Sequence, residues 1–177
     1  GVCCIRQARP EDAAVLAGIY APMCGTPRSP LNTIRRTPRS LPGASGKRRS
    51  NSPICLRGGR EAAGVCICVP FHECAAFQWD AELSVYVAAC AQQRGIGRAL
   101  YTCLIAFLQE QGYSTLYALI TVPNDNSERL HAKLGFERAA LYPRTGYKFG
   151  QWRDMIVMEK RLSPPFAPQS RRMRFPP

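Results

Sequence analysis

The stretch QQRGIGRAL, Gln92–Leu100, decides the fold because it sets a glycine turn between two regular elements. The apolar run LSVYV (83–87) precedes it, and the amphipathic run ALYTCLIAFLQEQG (99–112) follows and predicts a helix. A glycine turn that opens a helix presents backbone N–H groups at the positive end of the helix dipole. The pattern therefore fits either a phosphate-binding turn or a plain connection from strand to helix. It lacks the third glycine and the downstream acidic residue of a dinucleotide-binding turn.

Strands and helices alternate on both sides of this turn, which predicts an α/β (α+β) fold with a mixed sheet. Helices are predicted at 10–20, 95–111 and within 124–136, where Ser127 or Asn126 can cap the helix and Gly135 ends it. The 10–20 helix has an apolar face of Val15, Leu16, Ile19 and Tyr20. Strands are predicted at 2–7, 62–71, 81–89, 114–121, 137–143 and 151–162.

Two segments interrupt this regular pattern. Residues 24–60 contain many prolines and no usable period, and residues 163–177 contain five prolines in fifteen positions. We therefore predict a single domain at 1–162, irregular at 24–60, followed by a disordered basic tail at 163–177.

The net charge of +12 is concentrated in those same two segments. Residues 24–60 hold nine Lys/Arg and no Asp/Glu, and the tail holds three arginines, so the remaining residues sum to zero. A nucleic-acid-binding domain is expected to carry its basic residues on its folded surface. The charge distribution therefore argues against nucleic acid as the partner of the domain body.

The cysteines and the apolar runs bear on metal binding and location. Nine cysteines include no CxxC pair, so we expect reduced thiols and no metal site. No run of 18 apolar residues predicts a membrane span, and the first residues lack a signal-peptide pattern. We expect a cytoplasmic protein.

Three polar residues are candidates for chemistry, and each has a plainer alternative. Glu82 lies on the apolar strand before the turn, where burial would raise its pKa and suit it as a general base; it could equally be an exposed residue at the start of a strand. His131 could serve a site or make a structural hydrogen bond within a short helix. Asn124 could bind a ligand or simply occupy a turn.

Taken together, these motifs resemble the GNAT superfamily of acetyl-CoA-dependent N-acetyltransferases. ELSVYV (82–87), the QRGIG turn, PNDNSERLHAKLGF (123–136) and GYKFGQWRDM (146–155) are similar to its phosphinothricin/methionine-sulfoximine acetyltransferase branch. The resemblance covers about residues 2–23 and 62–162. It implies a mostly antiparallel, twisted mixed sheet flanked by helices, acetyl-CoA as co-substrate, a small amino-acid-like amine as acceptor, and a homodimer.

The resemblance also implies roles for individual residues. Glu82 would deprotonate the acceptor amine, and an N–H near Val87 would stabilise the developing oxyanion. His131 would line the acceptor pocket, together with Phe77 and with Tyr147 in the TGYKFGQW segment (145–152). The residues implied for coenzyme A are Val85, Tyr86 and Val87 along the pantetheine arm, Gln93, Arg94, Gly95, Ile96, Gly97 and Arg98 around the pyrophosphate, and Asn124 at the pantetheine end.

The chain departs from this branch in two places. The branch tends to carry basic side chains after its PF dipeptide, where this chain has His72 and Cys74, which weakens any anion-binding role there. The larger departure is 24–60, where the branch has a helical wall that begins with a stretch like VRDTAISFE. Read one base out of frame from the last base of the Met23 codon, possible codons through Leu41 encode VRDTAISFEYDPPDAEEF. We therefore hypothesise that this stretch is a frame-shifted translation that returns to frame between Asn51 and Gly64; the alternative is a genuine basic insertion.

Two further readings of the whole chain stay open beside the acetyltransferase. One is a basic nucleic-acid-binding protein built on an acetyltransferase-like core, which predicts binding that weakens steeply with salt. The other is a degenerate chain that folds and binds coenzyme A without transferring an acetyl group.

Overall fold

The computed structural model describes residues 3–24, 54–58 and 61–162. These residues form seven strands and three α-helices, with a 3₁₀ turn at Pro10–Asp12 leading into the first helix. In chain order the elements are β1 (Cys3–Gln7), α1 (Ala13–Cys24), β2 (Ile54–Gly58), β3 (Glu61–Pro70), β4 (Asp80–Val87), α2 (Ile96–Glu110), β5 (Thr115–Thr121), α3 (Asp125–Lys133), β6 (Glu137–Lys148) and β7 (Gln151–Arg161).

All seven strands belong to one sheet, in the order β1-β2-β3-β4-β5-β7-β6. Neighbouring strands are antiparallel except β4 and β5, which run parallel. The long connection through α2 makes this parallel pair possible, because parallel neighbours need a crossover. The mixed, mostly antiparallel sheet flanked by helices is confirmed.

The two faces of the sheet are covered by different helices. On one face α2 buries Leu100, Leu104 and Leu108 against apolar residues of β3, β4, β5 and β7. On the other face α1 packs Leu16 and Ile19 against Val65 of β3. Val15 is 44% exposed, so its predicted place on the apolar face of α1 is wrong.

Three local differences from the sequence-based prediction have physical causes. Ile54–Gly58 is a strand hydrogen-bonded to β1 and β3, so the predicted irregular segment at 24–60 is wrong over these five residues. Helix α3 is capped by Asn124, whose Oδ1 accepts from the Ser127 N–H at 3.3 Å, and not by Ser127 or Asn126. Strand β6 continues past Pro143 because it is the edge strand, with an irregular register between Tyr142 and Gly146.

Two predicted segments lie wholly or partly beyond the description. The rest of the irregular segment from Gly25 onward and the tail at 163–177 fall outside the described residues. Within the described part of the chain, no helix is long and apolar enough to cross a membrane.

Candidate active site

The parallel strands β4 and β5 separate partway along their length. They pair only from Asp80 opposite Thr115 to Glu82 opposite Tyr117, although β4 continues to Val87 and β5 to Thr121. The other edge of β4 stays paired with β3 as far as Val87. The edge of β4 that faces β5 therefore has no strand neighbour beyond Glu82, which leaves backbone groups available to an extended ligand. Val85, Tyr86 and Val87 all lie on this stretch.

The turn before α2 has the backbone conformation of an anion-binding site. Gln93 and Gly95 have left-handed φ angles of 62° and 77°, and Gly95 is the N-cap of α2 without any side-chain capping bond. The first helical hydrogen bond runs from the Ala99 N–H to the Gly95 carbonyl at 2.9 Å. The N–H groups of the helix's first turn therefore have no capping side chain, and N–H groups arranged in this way favour phosphate. Arg94 and Arg98 are exposed beside them.

Gly97 brings this turn against the gap between the strands. A Cβ added at Gly97 would lie 3.6 Å from Val87 and 3.9 Å from Val85 on β4, and 3.4 Å from Leu130 on α3. The first turn of α2 therefore packs directly on the separated part of β4. The structure thus brings together the residues predicted along the pantetheine arm and around the pyrophosphate.

Asn124 closes the other side of the same region. It follows the C-terminal end of β5 and opens α3, and its backbone carbonyl accepts from the Glu128 N–H at 3.0 Å. Because β4 and β5 are parallel, Asn124 and Val87 lie at the same edge of the sheet, on opposite sides of the gap. Asn124 also lines a surface depression with Pro123, Asp125, Asn126 and Arg129.

Glu82 stands at the last paired position before the strands separate. Its side chain points to the face opposite α2, since its neighbours Ala81 and Leu83 are buried in the α2 core. Burial raises the pKa of the Glu82 carboxyl, and within the described ranges no hydrogen bond or ion pair stabilises its charge. A carboxylate in this setting accepts a proton more readily than an exposed one.

His131 lies in the core, with only 3% of its surface exposed. Its Nδ1 donates to the Ser127 carbonyl at 2.7 Å, which leaves Nε2 to accept from the Tyr101 hydroxyl at 3.1 Å. Burial lowers the pKa of His131, an effect partly offset by the Ser127 hydrogen bond, so the ring is neutral near pH 7. This placement, on the α2 and α3 side of the sheet, favours the structural hydrogen bond over a place in the wall of an open pocket.

The two aromatic residues assigned to the acceptor lie in different places. Phe77 is 40% exposed and belongs to a ring cluster at the start of β4, near Glu82. Tyr147 is 58% exposed at the end of β6, where its ring contacts Trp152 edge-on at 5.3 Å. Strands β5 and β7 separate β6 from β4, so the described structure does not bring Tyr147 beside Glu82.

Sequence reasoning missed two tyrosines near the site, Tyr101 and Tyr117. Tyr101 is fully buried on α2, and its pKa is raised well above the ordinary value by burial and then by nearby acidic groups that include Glu82. Tyr117 is the register partner of Glu82 on β5. The alternation in STLYALIT could have placed Tyr117 on a face, but only the register shows which carboxylate it accompanies.

Metal chemistry has no donor cluster in the described part of the chain. No group of three or more His, Cys, Asp or Glu side chains there could hold a metal ion. Cys74, Cys90 and Cys103 are exposed free thiols.

Comparison with known proteins matches this arrangement. A family model described as "Acetyltransferase (GNAT) domain" matches residues 5–157. The chain is 35% identical over 107 residues to the phosphinothricin N-acetyltransferase of Streptomyces viridochromogenes, which covers 60% of this chain and 58% of that protein. It is 38% identical over 94 residues to the L-methionine sulfoximine/L-methionine sulfone acetyltransferase of Salmonella typhimurium, 53% of this chain and 55% of that protein.

A solved structure extends the match over nearly the whole chain. The yncA acetyltransferase from Salmonella typhimurium, solved with its cofactor acetyl-CoA, superposes with a TM-score of 0.83 at 27% identity and covers 96% of this chain and 99% of its own. By contrast, the matched part of this chain spans little more than half the length of those two curated relatives.

Proposed function

Because the chain belongs to the GNAT acetyltransferase family, we propose that it transfers an acetyl group from acetyl-CoA to the amino group of a small amino-acid-like acceptor of the phosphinothricin or methionine sulfoximine type. The observation that carries the proposal is the gap between β4 and β5, which begins at Glu82 and is flanked by the uncapped start of α2. It joins a general base, an open strand edge and an anion-binding turn in one place.

The cofactor half of the site follows from the backbone. The pyrophosphate is proposed to bind the N–H groups from Gln93 to Arg98, with the Arg94 and Arg98 side chains adding positive charge. The pantetheine arm is proposed to pair with β4 from Val85 to Val87, as an added strand would, with its end held at Asn124. These groups fit a long, extended ligand with one strongly anionic part.

The transfer chemistry needs one proton acceptor. Acetyl-CoA supplies the acetyl group as a thioester, which a free amine attacks but an ammonium ion does not. Glu82 accepts the proton of the acceptor ammonium, directly or through a water molecule, and so frees the lone pair. A backbone N–H near Val87 donates to the carbonyl oxygen as negative charge develops there. No cysteine takes part, because no covalent enzyme intermediate is needed.

The acceptor class rests on the named relatives and on the rings near Glu82. Phe77 is proposed to line the acceptor side, and Tyr147 to contribute a more distant part of its wall. His131 is proposed to act from behind the site by holding Tyr101. His72 and Cys74 stand where the branch tends to carry basic side chains, so the acceptor here is expected to depend less on a second anionic group.

The assembly and location are carried from the family resemblance and the thiols. We propose a homodimer, as the branch suggests. A cytoplasmic location accords with the exposed free thiols of Cys74, Cys90 and Cys103, which reducing compartments preserve.

An acetylation assay over a panel of free amino acids tests the function. The panel includes phosphinothricin, methionine sulfoximine, methionine sulfone and the common amino acids, with release of the coenzyme A thiol as the signal. Acetyl-CoA should also raise the Tm of the full chain, because a ligand selective for the folded state stabilises it. An unchanged Tm at saturating acetyl-CoA would refute the cofactor assignment, and binding without transfer to any panel member would support the degenerate alternative.

A further inference from the structure

Two aromatic rings meet across strand β4. Phe71 is the first residue after β3, on one side of β4, where its N–H donates to the Asp80 carbonyl at 3.3 Å. Tyr117 lies on β5, on the other side of β4. Their rings nevertheless stack with centroids 4.1 Å apart and planes inclined by 25°. The pair therefore spans the intervening strand, and we call Phe71 and Tyr117 the aromatic bridge.

The bridge lies on the same face as the Glu82 carboxylate. Partners in a parallel pair point to the same side of the sheet, and Tyr117 is the partner of Glu82. Phe71 reaches that face because Val69, two residues earlier, is the antiparallel partner of Glu82. The bridge crosses β4 next to Glu82, at the end of the pairing and before the strands separate.

We propose that the aromatic bridge excludes water from one side of the Glu82 carboxylate, and so keeps it poised as a proton acceptor for the reaction proposed above. Phe71 and Tyr117 would thus be positioning residues that act through Glu82. The open gap on the other side of Glu82 leaves the carboxylate accessible to the acceptor amine.

The electrostatic surroundings leave burial as the main influence on Glu82. The titratable or charged groups facing this region are Asp80 and Tyr86 on β4, Tyr117 on β5, Glu159 and Arg161 on β7, and Tyr101 on α2. Burial is the cause that raises the pKa of Glu82. Tyr117 also has a raised pKa, through burial and then the charges of Asp80 and Glu159, with Arg161 opposing.

The bridge has further ring contacts that hold Phe71 in place. Phe77 contacts Phe71 edge-on at 6.5 Å, and the His72 ring lies 5.0 Å from Phe77. Phe71 is itself 36% exposed, so shortening it opens a path for water without emptying the deep core. Truncation at this position is therefore a suitable probe.

The direction of the effect follows from the protonation states. Glu82 must be ionised to accept a proton, so activity falls as pH falls through its raised pKa. Phe71→Ala admits water, favours the ionised form and lowers the pKa. The acid limb of the kcat profile should then move to lower pH, and one pH unit below the wild-type midpoint the variant should keep about twice the wild-type fraction of its maximal rate.

The decisive measurement is a direct titration of Glu82 in the full-length chain. Side-chain carboxyl ¹³C signals of labelled glutamate are followed against pH by NMR, and the Glu82 signal is assigned by its absence in Glu82→Gln. The midpoint should fall in Phe71→Ala and fall less in Phe71→Leu, which keeps part of the bulk. It should stay in place in Tyr117→Phe, which keeps the ring and removes only the hydroxyl. Tyr142→Ala, an exposed ring on the edge strand β6, is the matched control and should not change it.

The outcomes separate the bridge from the reaction. An unchanged Glu82 midpoint in folded Phe71→Ala overturns the proposal, as does a fall in Tyr117→Phe equal to that in Phe71→Ala. If Phe71→Ala does not fold, Phe71→Leu decides in the same way. If no variant transfers acetyl groups, the proposed function fails, yet the NMR titration still tests the bridge.

Discussion

At the scale of single residues, Glu82 combines a cost to stability with a benefit to chemistry. Its carboxyl is half-buried and its pKa is raised by burial, so the folded state binds its proton more tightly than the unfolded state does. The folded protein therefore loses stability relative to the unfolded chain as pH rises through this range. A residue that destabilises the fold at neutral pH is a candidate for function.

Glu82→Gln should separate these two effects. We expect kcat to fall by roughly 10²- to 10⁴-fold, the range for loss of a general base, while the acetyl-CoA Kd changes little. The Tm at neutral pH should not fall, because the variant removes a buried charge without a described partner. Steady-state kinetics, calorimetric titration and thermal unfolding measure the three quantities.

The matched control is Glu137→Gln, which removes an exposed carboxylate on the edge strand β6. Its kcat should stay within about twofold of wild type, since surface charges contribute little. A fall of less than threefold for Glu82→Gln at saturating substrates and neutral pH would show that Glu82 is not the base.

His131 leads to a different expectation, since its two ring nitrogens are both used in the core. His131→Ala should lower the free energy of unfolding by roughly 1–3 kcal/mol, because it leaves the buried Tyr101 hydroxyl without its acceptor. Tyr101→Phe removes the donor instead and should cost a similar or smaller amount. Chemical denaturation at pH 7 measures both.

The pH dependence of stability tests the same assignment. The folded-state pKa of His131 is lowered, so the unfolded chain takes up a proton first as pH falls below about 6.5. Stability should therefore fall with pH from there down through the folded-state pKa, and His131→Ala should reduce that loss. A full-stability His131→Ala protein with a raised acceptor KM would instead place His131 in the acceptor pocket.

At the scale of elements, the site depends on how the first turn of α2 packs on β4. Gly97→Asp should weaken acetyl-CoA binding at least about tenfold, because a carboxylate would stand beside the N–H groups proposed for the pyrophosphate. Gly97→Ala is the matched control: its Cβ would be in ordinary contact with Leu130 at 3.4 Å, so the fold should tolerate it. Calorimetric Kd values and the Tm shift with acetyl-CoA measure the effect, and a wild-type Kd in Gly97→Asp would contradict the turn's assignment.

The helix α2 and its turn were predictable because their signals are local. Glycine at the start, an apolar stripe and Gly112 after the end predicted 95–111, and the helix runs from Ile96 to Glu110. The cap of α3 was missed because Asn124, Asn126 and Ser127 are all good capping residues, and only the backbone at Asn124 selects between them.

The candidate site was predictable only in part, because its key geometry is non-local. The residues of the turn follow from a short motif, and the structure places them beside β4. The point at which β4 and β5 separate depends on strand register, which alternation along one strand does not specify. The aromatic bridge depends on the same register and on the direction of Phe71 after β3, so no sequence pattern indicated it.

At the scale of the whole molecule, the basic segment and the described fold are separate in sequence but meet at β2. Ile54–Gly58 pairs with both β1 and β3, so this end of the predicted irregular segment contributes a strand to the sheet. Under the frame-shift hypothesis, we therefore narrow the expected return to frame to the residues before Ile54. The match to the curated relatives over little more than half their length accords with a segment unlike theirs.

The frame-shift hypothesis makes a prediction that divides the site into halves. The groups proposed for coenzyme A lie between Val85 and Asn124, whereas the branch's acceptor-side wall corresponds to the written basic segment. We expect the written chain to bind acetyl-CoA but to transfer weakly or not at all to phosphinothricin-like amino acids. A variant carrying VRDTAISFEYDPPDAEEF in place of residues 24–41 and the same shifted frame up to the return point should gain kcat/KM with little change in the acetyl-CoA Kd.

The encoding DNA provides the first check, since a second frame without stop codons must encode the family-like stretch. Binding of the written chain to nucleic acid across a salt series provides the control, because the restored variant lacks most of the basic residues of the segment. Steep salt-dependent binding that the restored variant loses would make the segment a functional insertion. Equal transfer by both chains would likewise contradict the frame-shift account, because the acceptor site would then not depend on this segment.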